Sequence, residues 1–511
     1  MTESAPGSGS VACDAISTPH SQFQEEIDDF LDVYLPAAPE KSGSRKIVHD
    51  GLWGTLSLDG GELAFVDTPL FQRLRQIRQT GFAFLTYPST THTRLEHVLG
   101  VVYQADKLGH ALLKSKGDHE FAEQDIGHLR LAGLFHDLGH GPFSHTSEEI
   151  YGDLSQLDEL RGSLKDAKPH EILTYLILVS QRFRSFFRDV YPDDTSIDEI
   201  AGYIVGSDLK ADRKFKREIL NGPFDADKLD YFFRDSHFSG LPLAVDMDRL
   251  CHTMRIANVK GEPRLVVTQS GATPLEQILF SRMVLSTTVY QHHKIRACDC
   301  MFAGIIEYMK RTAQPMRFGK RDLDWSSPVH FLWVTENEFH SLGCRTEDAR
   351  LHDLIHNLFY RRLLKRAMII SRHTVKMSDN DRWDELQRLA KRGCTNARRK
   401  IARTIWENAG KPCLPEEVWL DLPELPNMKS ADDTYVLQSE DQTSEPISLN
   451  EHMPIGQWVK NYGEQKWRGH IFCPAECRDR VAKAAKSFFE TEYKVRILPA
   501  AFEWCKVHPP T

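Results

Sequence analysis

The apolar positions of this chain change their period along its length. From Asp67 to about Tyr308 they recur at three- and four-residue spacing, as in Phe71, Leu74 and Ile77 and again in Val98, Leu99, Val101 and Val102. That spacing predicts helix after helix. Before this stretch, residues 45–66 break into short apolar runs punctuated by Gly51, Gly54, Gly60 and Gly61, which predicts a β-hairpin or small β element. Thr68-Pro69 reads as a helix start, because proline is tolerated in a first helical turn. Residues 350–410 read as a basic helical stretch. Beyond it, Val418-Trp419-Leu420, His470-Ile471-Phe472 and Lys494-Val495-Arg496-Ile497-Leu498 read as strands, with a helix around 475–491 and a long acidic loop over 421–450. The expected fold class is mainly α: a helical core with a small N-terminal β element and a C-terminal mixed α/β region. The expected divisions are 1–42, 43–330 and 331–511.

Residues 1–42 combine Ser, Gly, Pro and acids and read as a disordered arm. Inside it, Phe23 to Leu35 has helical spacing, and two readings stay open: a short docking helix or a frayed solvated segment. Charge sharpens the picture. The chain has 64 Lys and Arg against 72 Asp and Glu, yet residues 1–40 hold eight acids and no base. The whole excess of −8 therefore sits in the arm. A neutral body exerts no general pull on nucleic acid, so anion binding must come from local patches. No apolar run approaches the roughly 18–20 residues of a membrane span, and the N-terminus lacks a basic, then apolar, secretory signal. The expected location is cytoplasmic. The cysteine pairs Cys298/Cys300 and Cys473/Cys477 do not form a double Cys-x-x-Cys pattern, so reduced thiols are expected rather than a zinc site.

The chemistry concentrates around His136-Asp137, in Leu134-Phe135-His136-Asp137-Leu138-Gly139-His140-Gly141-Pro142-Phe143-Ser144-His145. An imidazole beside a carboxylate in apolar surroundings is costly to bury without a partner, and a divalent metal is the natural one. His97 upstream and Asp227 downstream, each on an apolar helical background, complete a set of two imidazoles and two carboxylates. That set suits Mn, Fe, Zn, Ni or Co, with Mg admitted alongside substrate. His136-Asp137 is expected on a helix that folds back, across a loop of roughly twenty polar residues, against the helix bearing His97. Asp227 is expected on a third helix starting after Pro223. His140, four residues past His136, is expected on the same helical face. His140, His145 and His170 with Glu148 supply imidazole–carboxylate pairs suited to proton transfer. Arg73, Arg75, Arg78, Arg94, Lys228 and Arg234 surround the ligands and suggest a phosphorylated substrate. Tyr231, Asp235, Tyr290 and Gln291 add ring faces and polar groups for a sugar and a base.

The order His…His-Asp…Asp resembles the signature of the HD phosphohydrolase superfamily. Asp67 to Gln79, Arg94-Leu95-Glu96-His97, His136 to His145, Asp225 to Asp235 and Tyr290-Gln291-His292 resemble more narrowly the subgroup of the sterile-alpha-motif/HD-domain dNTP triphosphohydrolase and its bacterial relatives. The resemblance covers about residues 45–300, and no sterile-alpha-motif domain is read ahead of it. It implies an HD-domain catalytic core in which His97, His136, Asp137 and Asp227 hold the metal. His140 and His170 would act at the α-phosphate, with Glu148 as the carboxylate of the histidine relay, and Arg94 and Lys228 would bind phosphates. Tyr231, Asp235 and Gln79 would hold the sugar, Arg282 and Tyr290 would face the triphosphate and sugar, and Gln291 the base, with His145 also at the substrate. Asp67, Gln72 and Arg75 resemble a guanine-reading regulatory site at a subunit interface, implying a homo-oligomer, dimer or tetramer. Two positions depart from the family: Glu148 stands where it has Asp, and Ser286 where it has His near the phosphates.

Three functions follow as expectations. The first is hydrolysis of dNTPs to deoxynucleoside and triphosphate. The second keeps the metal but takes another nucleotide or a nucleic acid, motivated by the basic residues at 361–403. The third is a noncatalytic nucleotide sensor.

Overall fold

The computed structural model describes residues 21–40, 45–114, 121–157, 164, 167–192, 195–206, 214–376, 382–391, 393–424, 432–438 and 445–508. Helices predominate, as the periodicity predicts, and most of them pack into one large core. Of the two readings for Phe23–Leu35, the docked helix holds. Helix α1, Ser21–Tyr34, buries Ile27, Phe30 and Leu31 completely. The expectation of a disordered arm over 1–42 is therefore corrected for residues 21–35; residues 1–20 lie outside the described residues. An apolar face at three- and four-residue spacing outweighs the acidic composition once a body is there to cover it.

The N-terminal β element is an antiparallel hairpin of β1, Lys46–Asp50, and β2, Gly54–Leu58. Its expected extent to residue 66 is corrected, because Gly60–Val66 forms helix α2. Asp59 accepts from the Glu62 amide (2.8 Å), and Glu62 returns the bond to the Asp59 amide (2.9 Å). This capping box starts a helix despite two glycines.

Two long helices follow: α3, Arg94–Leu113, and α4, Glu123–Phe135, packed side by side. The connection, Lys114 to Ala122, is shorter than the twenty residues expected, and residues 115–120 of it lie outside the described set. Helices α5, His145–Tyr151, α6, Pro169–Val179, and α7, Ala226–Ser239, complete the body around the ligand segments. The all-helical expectation to Tyr308 is corrected by a hairpin of β3, Met254–Val259, and β4, Glu262–Thr268. It turns on Lys260 and Gly261, both at positive φ (52° and 89°). Helices α8, Ala272–Leu285, and α9, His293–Arg311, then return to the core.

The expected division at 330 falls inside that core, since Val329 to Leu364 bury into it. A second core starts at Ala367. The basic stretch 350–410 is only partly helical: between helices Ala349–Phe359 and Thr395–Asn408 lies strand β5, Lys365–Ile370. Its apolar run Ala367–Ile370 is buried beneath the charges that dominate the sequence there. Strands β6, Trp419–Asp421, and β9, Gly469–Cys473, complete a three-stranded antiparallel sheet with β9 central. The expected loop over 421–450 contains strands β7, Tyr435–Leu437, and β8, Ile447–Ser448; β7 runs parallel to β4. Helix α10, Arg478–Glu492, matches the helix expected there, and Lys494–Leu498 yields only the short pair Arg496–Ile497. Among the described residues, no helix is long and apolar enough to cross a membrane.

Candidate metal centre

Three segments meet at the floor of a cavity of about 520 Å³, which Asp137 and Asp227 line and next to which His97 and His136 are buried. His97 sits in the first turn of α3, where the Thr93 amide donates to the Glu96 carboxylate (2.5 Å) and fixes the helix start. His136 caps the end of α4, and Asp137 opens the turn that follows. The expectation of a helical His136-Asp137 is corrected: the helix stops at Phe135. The loose carbonyls of that terminus are taken up locally, the Gly133 carbonyl by His136 Nδ1 (2.7 Å) and the His136 carbonyl by the Thr174 hydroxyl (3.0 Å). His140 therefore reaches the site through a turn, not along a helical face. Asp227 lies in the first turn of α7, as expected, behind the cap Asp225, which accepts from the Lys228 amide (2.6 Å).

The four side chains converge. His97 Nε2 lies 3.1 Å from Asp227 Oδ1 and 3.7 Å from Asp137 Oδ2; His136 Nε2 lies 3.2 Å from Asp137 Oδ1 and 3.8 Å from Asp227 Oδ1. Both Nε2 atoms are buried without a hydrogen-bond partner, the 3.1 Å approach being out of line for one. The opposite ring nitrogens are committed as donors: His97 Nδ1 to Asp230 Oδ2 (2.8 Å) and His136 Nδ1 to the Gly133 carbonyl. This fixes the tautomers so that both lone pairs face the carboxylates. Two orphaned imidazole lone pairs and two carboxylates fit a divalent cation. Electrostatics agree. Burial pushes His97 down, but the carboxylates of Asp227, Asp230 and Asp137 hold it up at about 9. The pocket is short of positive charge.

Behind the ligands stands a network that sequence reasoning missed. Asp230 takes His97 Nδ1, two bonds from Arg234 (2.8 and 2.9 Å) and one from Trp53 Nε1 (2.5 Å); Arg234 also donates to Asp50 (2.9 Å). Gly100 makes room for it, since a Cβ there would lie 1.9 Å from Asp230 Oδ1 and 2.5 Å from the Arg234 guanidinium. The available signal was Asp230 itself, three residues past Asp227 on the same helical face.

A second cluster adjoins the first. Glu148 Oε2 lies 2.8 Å from His145 Nδ1 and 3.1 Å from His170 Nδ1. His140 stacks on His170 with ring centres 4.0 Å apart, and its Nε2 lies 3.3 Å from Asp137 Oδ1. Burial pushes Glu148 up, but His170 and His145 hold it well below the usual carboxylate range. Burial, with Arg94 and His170 nearby, drives His140 well below the usual imidazole range. The longer Glu148 thus reaches both imidazoles.

Gln79, Arg94, His145, Tyr231, Asp235, Arg282, Tyr290 and Gln291 all line the cavity. Tyr290 donates to Asp235 Oδ2 (2.6 Å) while His92 Nε2 meets its Oδ1 (2.7 Å), and Gln291 donates to the Glu424 carbonyl (2.8 Å). Ser286 is also on the wall. Arg94, expected at phosphates, is buried and pairs with Asp137 Oδ2 (2.6 Å), which helps hold that carboxyl well below its usual range against burial. Lys228 is not brought to the cavity: its Nζ turns back to Asp225 (2.5 Å) and the Gly222 carbonyl (2.8 Å). Lys168, two residues before His170 and held by Glu171 (3.1 Å), does line the wall, together with Arg94 and Arg282.

Asp67, Gln72 and Arg75 lie outside the cavity, with Asp67 and Arg75 exposed. Arg75 Nε donates to Gln72 Oε1 (2.7 Å), and Asp67 stands 3.6 Å from Lys46. The basic residues 361–403 do not form one free patch. Arg361, Arg366 and Arg398 donate to the backbone carbonyls of Leu85, Trp504 and Leu389, and Arg399 and Arg403 pair with Glu307. Among the described residues, no cysteine joins a metal-sized cluster.

Comparisons with known proteins agree with this geometry. Residues 94–231 match the HD domain, and residues 245–497 match the HD associated region. An uncharacterized protein of Methanocaldococcus jannaschii is 25% identical over 459 residues, 86% of this chain and 84% of its own length. The deoxynucleoside triphosphate triphosphohydrolase SAMHD1 of Homo sapiens is 27% identical over 347 residues, 63% of this chain. The chain spans about half of that enzyme's length (54%). The crystal structure of a hypothetical protein from Aquifex aeolicus superposes with a TM-score of 0.60 over 86% of this chain and all of that one, at 23% identity, and so shares the fold. A ligand set drawn from both ends of one matched region, with the associated region folded behind it, makes this chain an HD-domain protein.

Proposed function

We propose that this HD-domain protein is a metal-dependent dNTP triphosphohydrolase. Water attacks the α-phosphorus, the bond to the 5′-oxygen breaks, and deoxynucleoside and inorganic triphosphate leave. The observation that carries the reading is the adjacency of two clusters in one cavity: a cation-seeking floor and an imidazole–carboxylate wall beside it. His97, His136, Asp137 and Asp227 would hold a divalent cation, which would supply Lewis acidity and positive charge at the phosphate.

The chain's own groups divide the remaining work. Glu148 accepts from His145 Nδ1 and lies 3.1 Å from His170 Nδ1, which leaves each Nε2 to exchange a proton with substrate. His145 is 65% exposed on the cavity wall, which suits it to protonate the departing 5′-oxygen rather than only to contact substrate. His140, neutral by burial, offers one hydrogen bond to the α-phosphate. Arg282, which forms no ion pair among the described residues, and Lys168 face the triphosphate. Asp235, locked by Tyr290 and His92, accepts from the sugar hydroxyl beside Tyr231. Asp67, Gln72 and Arg75 would take a guanine nucleotide at an interface between copies of the chain.

The test is product analysis by ion chromatography after incubating the full chain with Mn²⁺ and each dNTP, with and without GTP. Inorganic triphosphate is expected. Pyrophosphate or monophosphate alone would overturn the assignment, and stimulation by GTP would support the surface triad as a regulatory site.

A further inference from the structure

The turn between Asp137 and Ser144 carries one metal-ligand candidate and one imidazole of the wall, yet it lies outside any helix. Phe143 and Ser144 hold positive φ values of 59° and 52°, which L side chains rarely adopt. Something besides a helical ladder must therefore set its shape. Arg73 does so from behind: its guanidinium donates to the His140 carbonyl (2.8 Å) and to the Leu138 carbonyl (2.7 Å). Two parallel donors from one planar group fix the spacing of two carbonyls in a way a lysine cannot.

Arg73 is an unusual clamp. It is 4% exposed, forms no ion pair among the described residues, and its Nε has no hydrogen-bond partner. Burial lowers it to about 10. An arginine without an ion pair is costly to bury, and water reaching the guanidinium would compete with the two carbonyls for its donors. The cover comes from α1. The Phe30 ring lies 5.6 Å from the Arg73 guanidinium and packs edge-on against Trp333 (5.4 Å), while Tyr34 donates to the Trp333 carbonyl (3.5 Å). Ile27 and Leu31 are completely buried beside it. Phe23 and Leu35 are buried in the same core, and polar contacts line the edge: Ser327 to Glu26, Arg321 to Asp29 (2.6 Å), and Arg182 to Asp32 (3.3 Å) and to the carbonyls of Leu35 (2.7 Å) and Pro36 (2.8 Å).

We infer that Arg73 is a positioning residue of the cavity floor and that α1 is the strap that keeps it in place, so that docking of the acidic N-terminal segment sets the geometry of the Asp137–Ser144 turn. The link runs from Phe30 to Arg73, then to the carbonyls of Leu138 and His140, and so to Asp137 and the His140 ring. It rests on the metal-site reading only for its second readout below.

Two variants of the full chain test it. Ile27→Asp forces α1 off its apolar seat, and Arg73→Lys keeps the charge but removes the two-pronged donor. Hydrogen exchange by mass spectrometry is followed over residues 21–35 and 136–147, alongside Mn²⁺ affinity by calorimetry. Ile27→Asp is expected to speed exchange in both segments, and Arg73→Lys in 136–147 alone, with Mn²⁺ affinity falling about tenfold in each. The proposal is overturned if Ile27→Asp frees 21–35 while 136–147 keeps wild-type exchange, or if Arg73→Lys leaves that segment unchanged. Should the wild-type protein take up no Mn²⁺, the metal reading fails, and the exchange data still decide the strap.

Discussion

The cavity holds two groups of histidine and acid side by side, and they differ in where their imidazole nitrogens point. At the floor, the Nδ1 atoms of His97 and His136 are spent on Asp230 and the Gly133 carbonyl, and the Nε2 atoms face two carboxylates without a hydrogen-bond partner. At the wall, Nδ1 of both His145 and His170 lies against one carboxylate, Glu148. Like residue types are thus arranged for two tasks: lone pairs aimed inward for a cation, and protons lined up on a shared acid for transfer. Composition alone does not separate them; the second partner of each ring does.

Breaking the floor has the largest expected effect. His136→Ala removes one lone pair and leaves the wall intact. Metal measured by mass spectrometry should fall below one equivalent, and turnover should drop roughly a thousandfold, the equivalent of several kcal/mol of lost charge stabilisation. Breaking the wall should be separable. Glu148→Gln should keep its metal while turnover falls about a hundredfold and the pH dependence of the rate changes shape. Retained metal with lost rate is the signature to look for; loss of both would merge the two clusters into one.

A finer cut goes behind the floor. Asp230→Asn keeps the size but weakens the hold on His97 Nδ1, and metal affinity should fall about 10–100-fold in a titration. The smallest effect lies at the cavity edge, where Arg296 pairs with Asp421 (2.6 Å), Glu149 (3.1 Å) and Asp299 (3.5 Å), and Thr146 donates to Asp299 (2.7 Å). Burial, opposed by Arg296 and reinforced by Glu149, pushes the Asp299 carboxyl up to about 7. A raised carboxyl contributes its stability below its unfolded pKa of about 4, and that stability is lost as pH rises towards 7. Melting temperature should fall across that window in the wild type, by the equivalent of a few kcal/mol at most, and the slope should flatten in Asp299→Asn.

How much of this was legible in the sequence depended on whether a residue's partner was local. His97, His136, Asp137 and Asp227 could be read because each is a costly group in an apolar helical run, so something had to compensate it. Glu148 and its two histidines were legible for the same reason. Arg94 and Lys228 were not. Both are cations near the ligands, but Arg94 is consumed by Asp137 and Lys228 by its own helix cap, and only coordinates show which carboxylate is nearer. The β3–β4 hairpin was missed although Lys260-Gly261 marks its turn, because the helical period on both sides was extended across it. Strand β5 was hidden by the charges flanking four buried apolar residues. The end of α4 at Phe135 left no mark in the hydrophobic pattern, since apolar residues continue beyond it.

Gly100 has a practical consequence for anyone altering this protein. It stands one turn beyond His97, on the side of α3 that meets Asp230 and Arg234, where there is no room even for a methyl. An attempt to change the ion that such a site would accept would start from the four donor candidates. An alanine at position 100 would instead overlap the carboxylate that steers the imidazole, so Asp230 and Arg234 would have to leave their present positions. That makes an inconspicuous position a steric guard on the orientation of His97, and a codon to leave unchanged.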